Sequence, residues 1–225
     1  MDFIFSGSRQ YSLIAKRNGF KYGARLPCTT YFDLHFADQN WKNPDLSKYI
    51  EYIKKERPSV ATILDWELEE QEAEVFEWAE MVSPFVDLVL FIPKAENTIH
   101  KIPSSIGGTK VGLAYSVPTR YGGTKLPIQK FVGFPVHLLG GSPHKQMDIY
   151  INRGDVDIVS ADGNYHMKKA GFGEYWVWGS KRGRALGSWR NLNDYLGYRA
   201  RSKGNYIAFD LSCRNIMKAW KENVL

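Results

Sequence analysis

Carboxylates stand at the ends of several strand-like segments of this chain. Asp38 ends one such segment, Asp65 and Glu67 end a second, and Asp162 ends a third. A buried acid costs free energy unless it is paired or used, so a set of acids at one sheet edge indicates nucleophilic or acid–base chemistry. Taken alone, Asp65 is better explained as the N-cap of the acidic helix predicted to follow it.

Two glycines separate a predicted strand from a predicted helix in "HLLGGSPHKQ", residues 137–146. Gly140 and Gly141 suit either a tight turn or the close approach of a flat ligand to the backbone. His137 alternates into the strand and is expected to be a satisfied core histidine. His144, in the first helical turn, is equally consistent with a functional residue and with a solvated helix start.

Metal and dinucleotide motifs are missing from the sequence. The five histidines form no HxH or HExxH, and Cys28 and Cys213 form no CxxC. "GGTK" occurs at 107–110 and 122–125 without the spacing of a phosphate-binding glycine loop, so both copies are predicted to be turns. We therefore expect no metal and no organic cofactor.

Positive charge is concentrated near the C-terminus. The net charge is +6, and residues 168–203 carry nine Lys or Arg against two acids, interleaved with Trp, Tyr and Phe. Basic side chains neutralise phosphates and aromatic rings stack on bases, so the pattern suits nucleic acid as well as it suits a solvated basic face. The candidate nucleic-acid contacts are Arg120, Lys168, Lys169, Lys181, Arg182, Arg184 and Arg190.

Strand-like and helix-like segments alternate from the N-terminus to about residue 170. Seven or eight strands in this order predict an α/β fold, a compact (β/α)8 TIM-type barrel with some short or missing helices. We expect residues 1–170 to form a catalytic barrel. Residues 171–225 are expected to form a small basic, aromatic-rich appendage packed on it, with "EYWVWGS" and "NYIAFDLS" as strands and "CRNIMKAWKENVL" as a helix.

The chain has no apolar run of membrane-spanning length and no basic flank followed by a long apolar stretch at its start. We therefore expect a soluble cytoplasmic protein without a membrane partner, located in the host cytoplasm if the chain is phage-encoded.

Three segments in this order resemble the guanine transglycosylase family. They are "FADQNWKNPD" (36–45) with "RPSVATILDWE" (57–67), then "VGLAYSVPTRYGG" (111–123), then "VHLLGGSPHKQ" (136–146) leading to "VDIVSADGN" (156–164). The chain looks most like the DpdA-like DNA 7-deazaguanine transglycosylases of phages and bacteria. It lacks the three Cys and one His of the zinc site in the tRNA-modifying branch.

The resemblance implies an enzyme that exchanges guanine in DNA for a 7-deazaguanine base, such as 7-cyano-7-deazaguanine, without an organic cofactor. It implies that Asp162 is the nucleophile of a covalent aspartyl-sugar intermediate, with Asp157 as a rival, and that Asp38 is the acid–base carboxylate. The residues that it implies for base binding are Asp65, Glu67, Gly140, Gly141 and Ser116.

Three other functions stay open. The chain could act on tRNA or another RNA, bind nucleic acid as a barrel without catalysis, or bind phosphate through its two "GGTK" loops. For the DNA enzyme the expected partners are DNA and the 7-deazaguanine base. A duplex target would first have to be opened, which leaves room for helper proteins.

Overall fold

Eight parallel strands form a closed barrel in the computed structural model, which describes residues 1–120, 122–181, 184–192 and 204–224. The strands, in their order around the barrel, are β1 (Asp2–Phe5), β2 (Lys21–Leu26), β3 (Phe36–Gln39), β4 (Val60–Trp66), β5 (Leu88–Pro93), β7 (Thr109–Ser116), β8 (Pro135–Leu139) and β9 (Asp157–Asp162). Pairing of β5 with β7 and of β9 with β1 closes the barrel. The predicted TIM-type barrel is confirmed.

Helices lie between the strands, and several connections are short. The helices are α1 (Arg9–Arg17), α2 (Leu46–Glu56), α3 (Glu72–Val82), α4 (Glu96–Ile99), α5 (Pro143–Ile151), α6 (Tyr165–Ala170) and α7 (Gly204–Val224). Residues 27–35 join β2 to β3 without a helix, and only a 3-10 turn, Ile128–Phe131, separates β7 from β8. None of the helices in the described ranges is long and apolar enough to cross a bilayer.

Small residues make room inside the barrel. A Cβ on Gly23 would lie 2.7 Å from Cγ2 of Ile4, and one on Gly112 would lie 2.7 Å from the carbonyl oxygen of Pro135. Larger side chains fill the space that these glycines leave. The interior cluster consists of Ile4, Phe36, Val60, Leu90, Ile92 and Ala114. The lumen is therefore a packed core, as in other barrels of this size.

The short strand β6 (Ser105–Ile106) forms an antiparallel hairpin with β7 at the N-terminal end of the barrel. Gly107 and Gly108 are the two residues of its turn, with φ of 55° and 84°. Consecutive residues with positive φ require glycine in such a turn. The first "GGTK" is thus a hairpin turn, as predicted.

After the barrel strands, β10 (Glu174–Lys181) and β11 (Arg184–Asn191) form an antiparallel hairpin, which confirms the strand predicted for "EYWVWGS". The strand predicted for "NYIAFDLS" is wrong, because these residues belong to α7. Buried side chains recur along α7 at intervals of three or four residues, which is the spacing of one helix face; they are Ala208, Phe209, Ser212, Cys213, Ile216, Ala219 and Trp220.

Helix α7 packs on the outside of the barrel. The ring of Trp220 lies 5.1 Å from that of Phe3 and 4.8 Å from that of Tyr150, and Phe209 lies 4.9 Å from Phe5. One hydrophobic core therefore includes residues from both sides of position 170.

This packing predicts that α7 contributes to the stability of the barrel. Trp220→Ala would remove a ring that is 1% exposed, and we expect it to lower the free energy of unfolding by about 3–5 kcal/mol. Urea unfolding monitored by circular dichroism measures the change. Trp41, which is 54% exposed, is the matched control, and Trp41→Ala should change stability by less than about 0.5 kcal/mol. Equal effects of the two substitutions would contradict the packing described.

Candidate active site at the carboxyl end of the barrel

Most of the predicted site residues lie at one end of the barrel. Asp162 and Ser116 are the last residues of β9 and β7, Asp38 and Asp65 are the last but one of β3 and β4, and Gly140 follows β8. All these strands are parallel, so their carboxyl ends share one rim, which is where barrel enzymes hold their active sites. Asp65 does not cap α3, since that helix begins at Glu72; the N-cap explanation of Asp65 is wrong.

Asp162 is held by the strand beside it. Its Oδ1 accepts a hydrogen bond from the backbone N–H of Gly140 at 2.7 Å and lies 3.2 Å from Nε2 of His137. The side chain is 16% exposed. Both contacts reach Oδ1, so they fix the orientation of the carboxylate without engaging Oδ2.

The glycine pair shapes the loop that carries this N–H group. Gly140 and Gly141 have φ of 71° and 88°, and a Cβ on Gly141 would lie 2.6 Å from Cγ1 of Val117. The side-chain amide of Gln146 donates to the carbonyl oxygens of Gly140 and Asp162, at 2.7 and 2.5 Å. The loop is therefore fastened to β9, and the two glycines allow the turn that aims an amide at Asp162.

His137 belongs to the candidate site, although the sequence did not identify it as a site residue. It is fully buried, its ring stacks on Phe36 with centroids 4.8 Å apart, and its Nδ1 lies 2.8 Å from Oγ of Ser160. The sequence predicts a satisfied core histidine, and both ring nitrogens do have partners. One partner, however, is Asp162, and a pairing across strands β8 and β9 depends on a register that leaves no local signal in the sequence.

Asp38 lies across the same mouth. Its Oδ1 accepts a hydrogen bond from Oγ1 of Thr62 at 3.2 Å, and its Oδ2 lies 3.3 Å from Nε of Arg25. Burial raises the pKa of Asp38 to about 7, and repulsion by Asp162 adds to this rise, while Arg25 and Thr62 oppose it. A carboxyl group with a pKa near neutrality can both donate and accept a proton.

Asp65 and Glu67 form a second cluster on the rim. Nζ of Lys94 lies 2.5 Å from Oδ2 of Asp65 and 2.9 Å from Oε1 of Glu67. Burial lowers the pKa of Lys94, but its hydrogen bonds to the two carboxylates outweigh that effect and raise the pKa above its ordinary value. Strands β4 and β5 are neighbours, which explains how the ends of both reach this ion triplet.

The remaining candidates lie on the rim, at the far end of the barrel, on α6 and on the hairpin. Ser116 is half-buried, and Arg120 is exposed in the loop after β7. Asp157 begins β9 and is exposed at the opposite end of the barrel from Asp162, so of the two candidate nucleophiles only Asp162 lies at the mouth. Within the described ranges, no group of three or more His, Cys, Asp or Glu side chains could hold a metal ion.

The basic candidates lie on α6 and on the hairpin. Lys168 is exposed on α6, and Lys169 forms an ion pair with Glu174 at 2.6 Å. Arg190 is exposed on β11. Lys181 and Arg184 stand at the facing ends of β10 and β11, and Arg182 lies outside the described residues.

The raised pKa of Asp38 predicts a pH-dependent stability. Its folded-state pKa of about 7 exceeds the ordinary value of 3.8, so ionisation of Asp38 costs more free energy in the folded than in the unfolded chain. The free energy of unfolding therefore falls as the pH rises from about 4 to 7, and it stays lower above pH 7. The amide of Asp38→Asn does not titrate. We expect this variant to gain more than about 1 kcal/mol over the wild type between pH 4.5 and 8, as measured by urea unfolding. Asp157→Asn, which changes an exposed carboxylate, should show no such gain.

Comparison with known proteins gives a family. Residues 15–221 match the family described as "Family of unknown function (DUF6610)". No curated protein and no solved structure matches the chain significantly. The match begins inside α1 and ends inside α7, so it includes every barrel strand except β1. The chain therefore belongs to the DUF6610 family.

Proposed function

We propose that this protein is a DNA-guanine transglycosylase, which exchanges guanine in DNA for a 7-deazaguanine base such as 7-cyano-7-deazaguanine. The observation that carries the proposal is the pair of carboxylates at the barrel mouth. A backbone N–H stabilises the negative charge of Asp162, whereas Asp38 has a pKa of about 7. Two carboxyl groups in such different environments are suited to separate roles, one as nucleophile and one as acid and base.

In the proposed reaction, Oδ2 of Asp162 attacks C1′ of the target deoxyribose. The bond from C1′ to N9 of guanine breaks, and protonated Asp38 gives its proton to the departing base. The incoming 7-deazaguanine loses a proton to Asp38, and its ring nitrogen attacks C1′. The ester bond to Asp162 then breaks, so that both carboxyl groups return to their starting states and the configuration at C1′ is retained.

The neighbours of the two carboxylates have positioning roles in this scheme. Gly140 and His137 hold Oδ1 of Asp162, which aims Oδ2. Arg25 and Thr62 keep Asp38 in place. Pre-organised groups of this kind save the entropy that a mobile side chain would lose in the transition state.

Base recognition is proposed for Gly140, Gly141, Ser116, Asp65 and Glu67. All five lie at strand ends on the rim or directly after them. Carboxylates accept hydrogen bonds from the N1–H and amino groups of a guanine-like ring, and Lys94 orients both Asp65 and Glu67. DNA is the proposed partner because the resemblance is to the DNA-modifying branch and the C-terminal part of the chain is basic.

A base-exchange assay tests this function. Purified protein is incubated with 7-cyano-7-deazaguanine and single-stranded DNA, duplex DNA or tRNA, and the released nucleosides are identified by mass spectrometry. We expect modified deoxynucleoside from the wild type and none from Asp162→Asn, because an amide cannot form the ester intermediate. Asp38→Asn should slow exchange by about 10²–10⁴-fold.

Asp157→Asn is the matched control, since it alters the same strand at the far end of the barrel, and it should retain full activity. Modified ribonucleoside alone would move the substrate to RNA. No product from any polymer, with nucleic-acid binding intact, would contradict the proposal and favour a barrel that only binds.

A further inference from the structure

Three partly exposed aromatic side chains lie on α6 and on the β10–β11 hairpin. Trp178 on β10 and Trp189 on β11 are both half-buried, and Tyr165 at the start of α6 is 38% exposed. The ring of Tyr165 meets that of Trp189 edge to face with centroids 5.7 Å apart. We name these three residues the aromatic ledge.

Strand pairing sets Trp178 and Trp189 on the same face of the hairpin. Trp176 is directly opposite Trp189, and Trp178 is directly opposite Gly187. Opposite residues of an antiparallel pair share a face, as do residues two apart in one strand. Trp176, at 0% exposure, anchors this face to the core, and Trp178 and Trp189 also pack against the core while remaining partly exposed.

The hairpin face meets the barrel at the loop that holds the candidate nucleophile. A Cβ on Gly187 would lie 2.8 Å from Cβ of His144, and His144 is in the first turn of α5, directly after the Gly140–Gly141 loop. At the other end of the ledge, Tyr165 follows Asp162 by three residues. Both connections place the ledge next to the mouth.

Basic side chains lie close to these rings. Nζ of Lys169 lies 5.7 Å from the ring centroid of Trp189 and also pairs with Glu174 at 2.6 Å. Lys168 is exposed on α6, and Arg190 is exposed on β11 on the opposite face from Trp189, because successive strand residues alternate. Aromatic rings with basic side chains close by suit a strand of nucleic acid, which presents flat bases and regularly spaced phosphates.

We propose that the aromatic ledge binds single-stranded DNA by stacking on unpaired bases that flank the nucleotide in the barrel mouth. This inference rests on the proposed function for its choice of DNA, but the binding itself requires no catalysis. Bases in a duplex offer their faces only to one another, so the ledge selects a strand that is already open. The chain would then require an unpaired target and would not itself open a duplex.

Fluorescence anisotropy with three labelled DNA probes tests the inference on the wild-type protein. The probes are an oligothymidylate of about twelve nucleotides, an abasic strand of the same length, and a duplex of the same length. Stacking predicts that the oligothymidylate binds at least about tenfold more tightly than either other probe. Equal binding of the abasic strand would show that only phosphates are contacted and would overturn the inference, as would a preference for the duplex.

Two substitutions test whether the preference for oligothymidylate comes from stacking on the aromatic ledge. Trp189→Leu keeps an apolar side chain but removes the ring, and we expect it to weaken oligothymidylate binding about tenfold while leaving abasic-strand binding unchanged. Tyr52→Leu removes a half-exposed ring from α2, away from the hairpin, and should change neither affinity. Weaker binding of both probes by Trp189→Leu would indicate a structural role and contradict stacking.

The base-exchange assay separates this inference from the proposed function. Stacking-dependent binding without exchange of any base would contradict the proposed function alone. If the protein exchanges bases in duplex DNA and Trp189→Leu leaves that exchange unaffected, the stacking inference is overturned while the proposed function stands.

Discussion

Two carboxyl groups, Asp38 and Asp162, share the mouth of a closed barrel, where burial disfavours charge and each repels the other. The surrounding structure gives the two carboxyl groups different stabilising contacts. Asp162 receives a backbone N–H from Gly140 and a ring nitrogen of His137, whereas Asp38 is left with the pKa of about 7 despite its contact with Arg25. The two carboxyl groups therefore stand in different environments, because Oδ1 of Asp162 has a backbone donor and a ring nitrogen beside it, whereas Asp38 is desolvated next to Arg25 and Thr62.

Beneath the two carboxylates, the interior of the barrel is a close-packed layer of side chains. Phe36 and His137 are fully buried and stacked on each other, and glycines at positions 23 and 112 make room for large side chains around them. Because the layer is close-packed, a side chain that rests on it has few alternative positions. His137 is part of this packed layer and also contacts Asp162 at the mouth.

The C-terminal segment extends the rim without opening the core. Strand β10 would expose an edge, but Oγ of Ser212 accepts the N–H of Trp176 and the side-chain amide of Asn215 donates to its carbonyl oxygen. Helix α7 thereby covers one edge of the hairpin, while Gly187 brings β11 against His144. The hairpin is therefore tied to the barrel next to the first turn of α5, with Trp178 and Trp189 partly exposed on it.

The sequence by itself determined the barrel, the strand ends that carry Asp38 and Asp162, and the glycine turn, because periodicity and turn chemistry are local properties. The helical conformation of residues 205–212 does not follow from the sequence, because this short stretch of mixed apolar residues fits the periodicity of a strand as well as that of a helix. Only packing against the barrel selects the helix. Only the tertiary structure decided that His137 contacts Asp162 and that Lys94 pairs with Asp65. These contacts, like the raised pKa of Asp38, depend on strand register and on closure of the sheet, which bring together residues far apart in the chain.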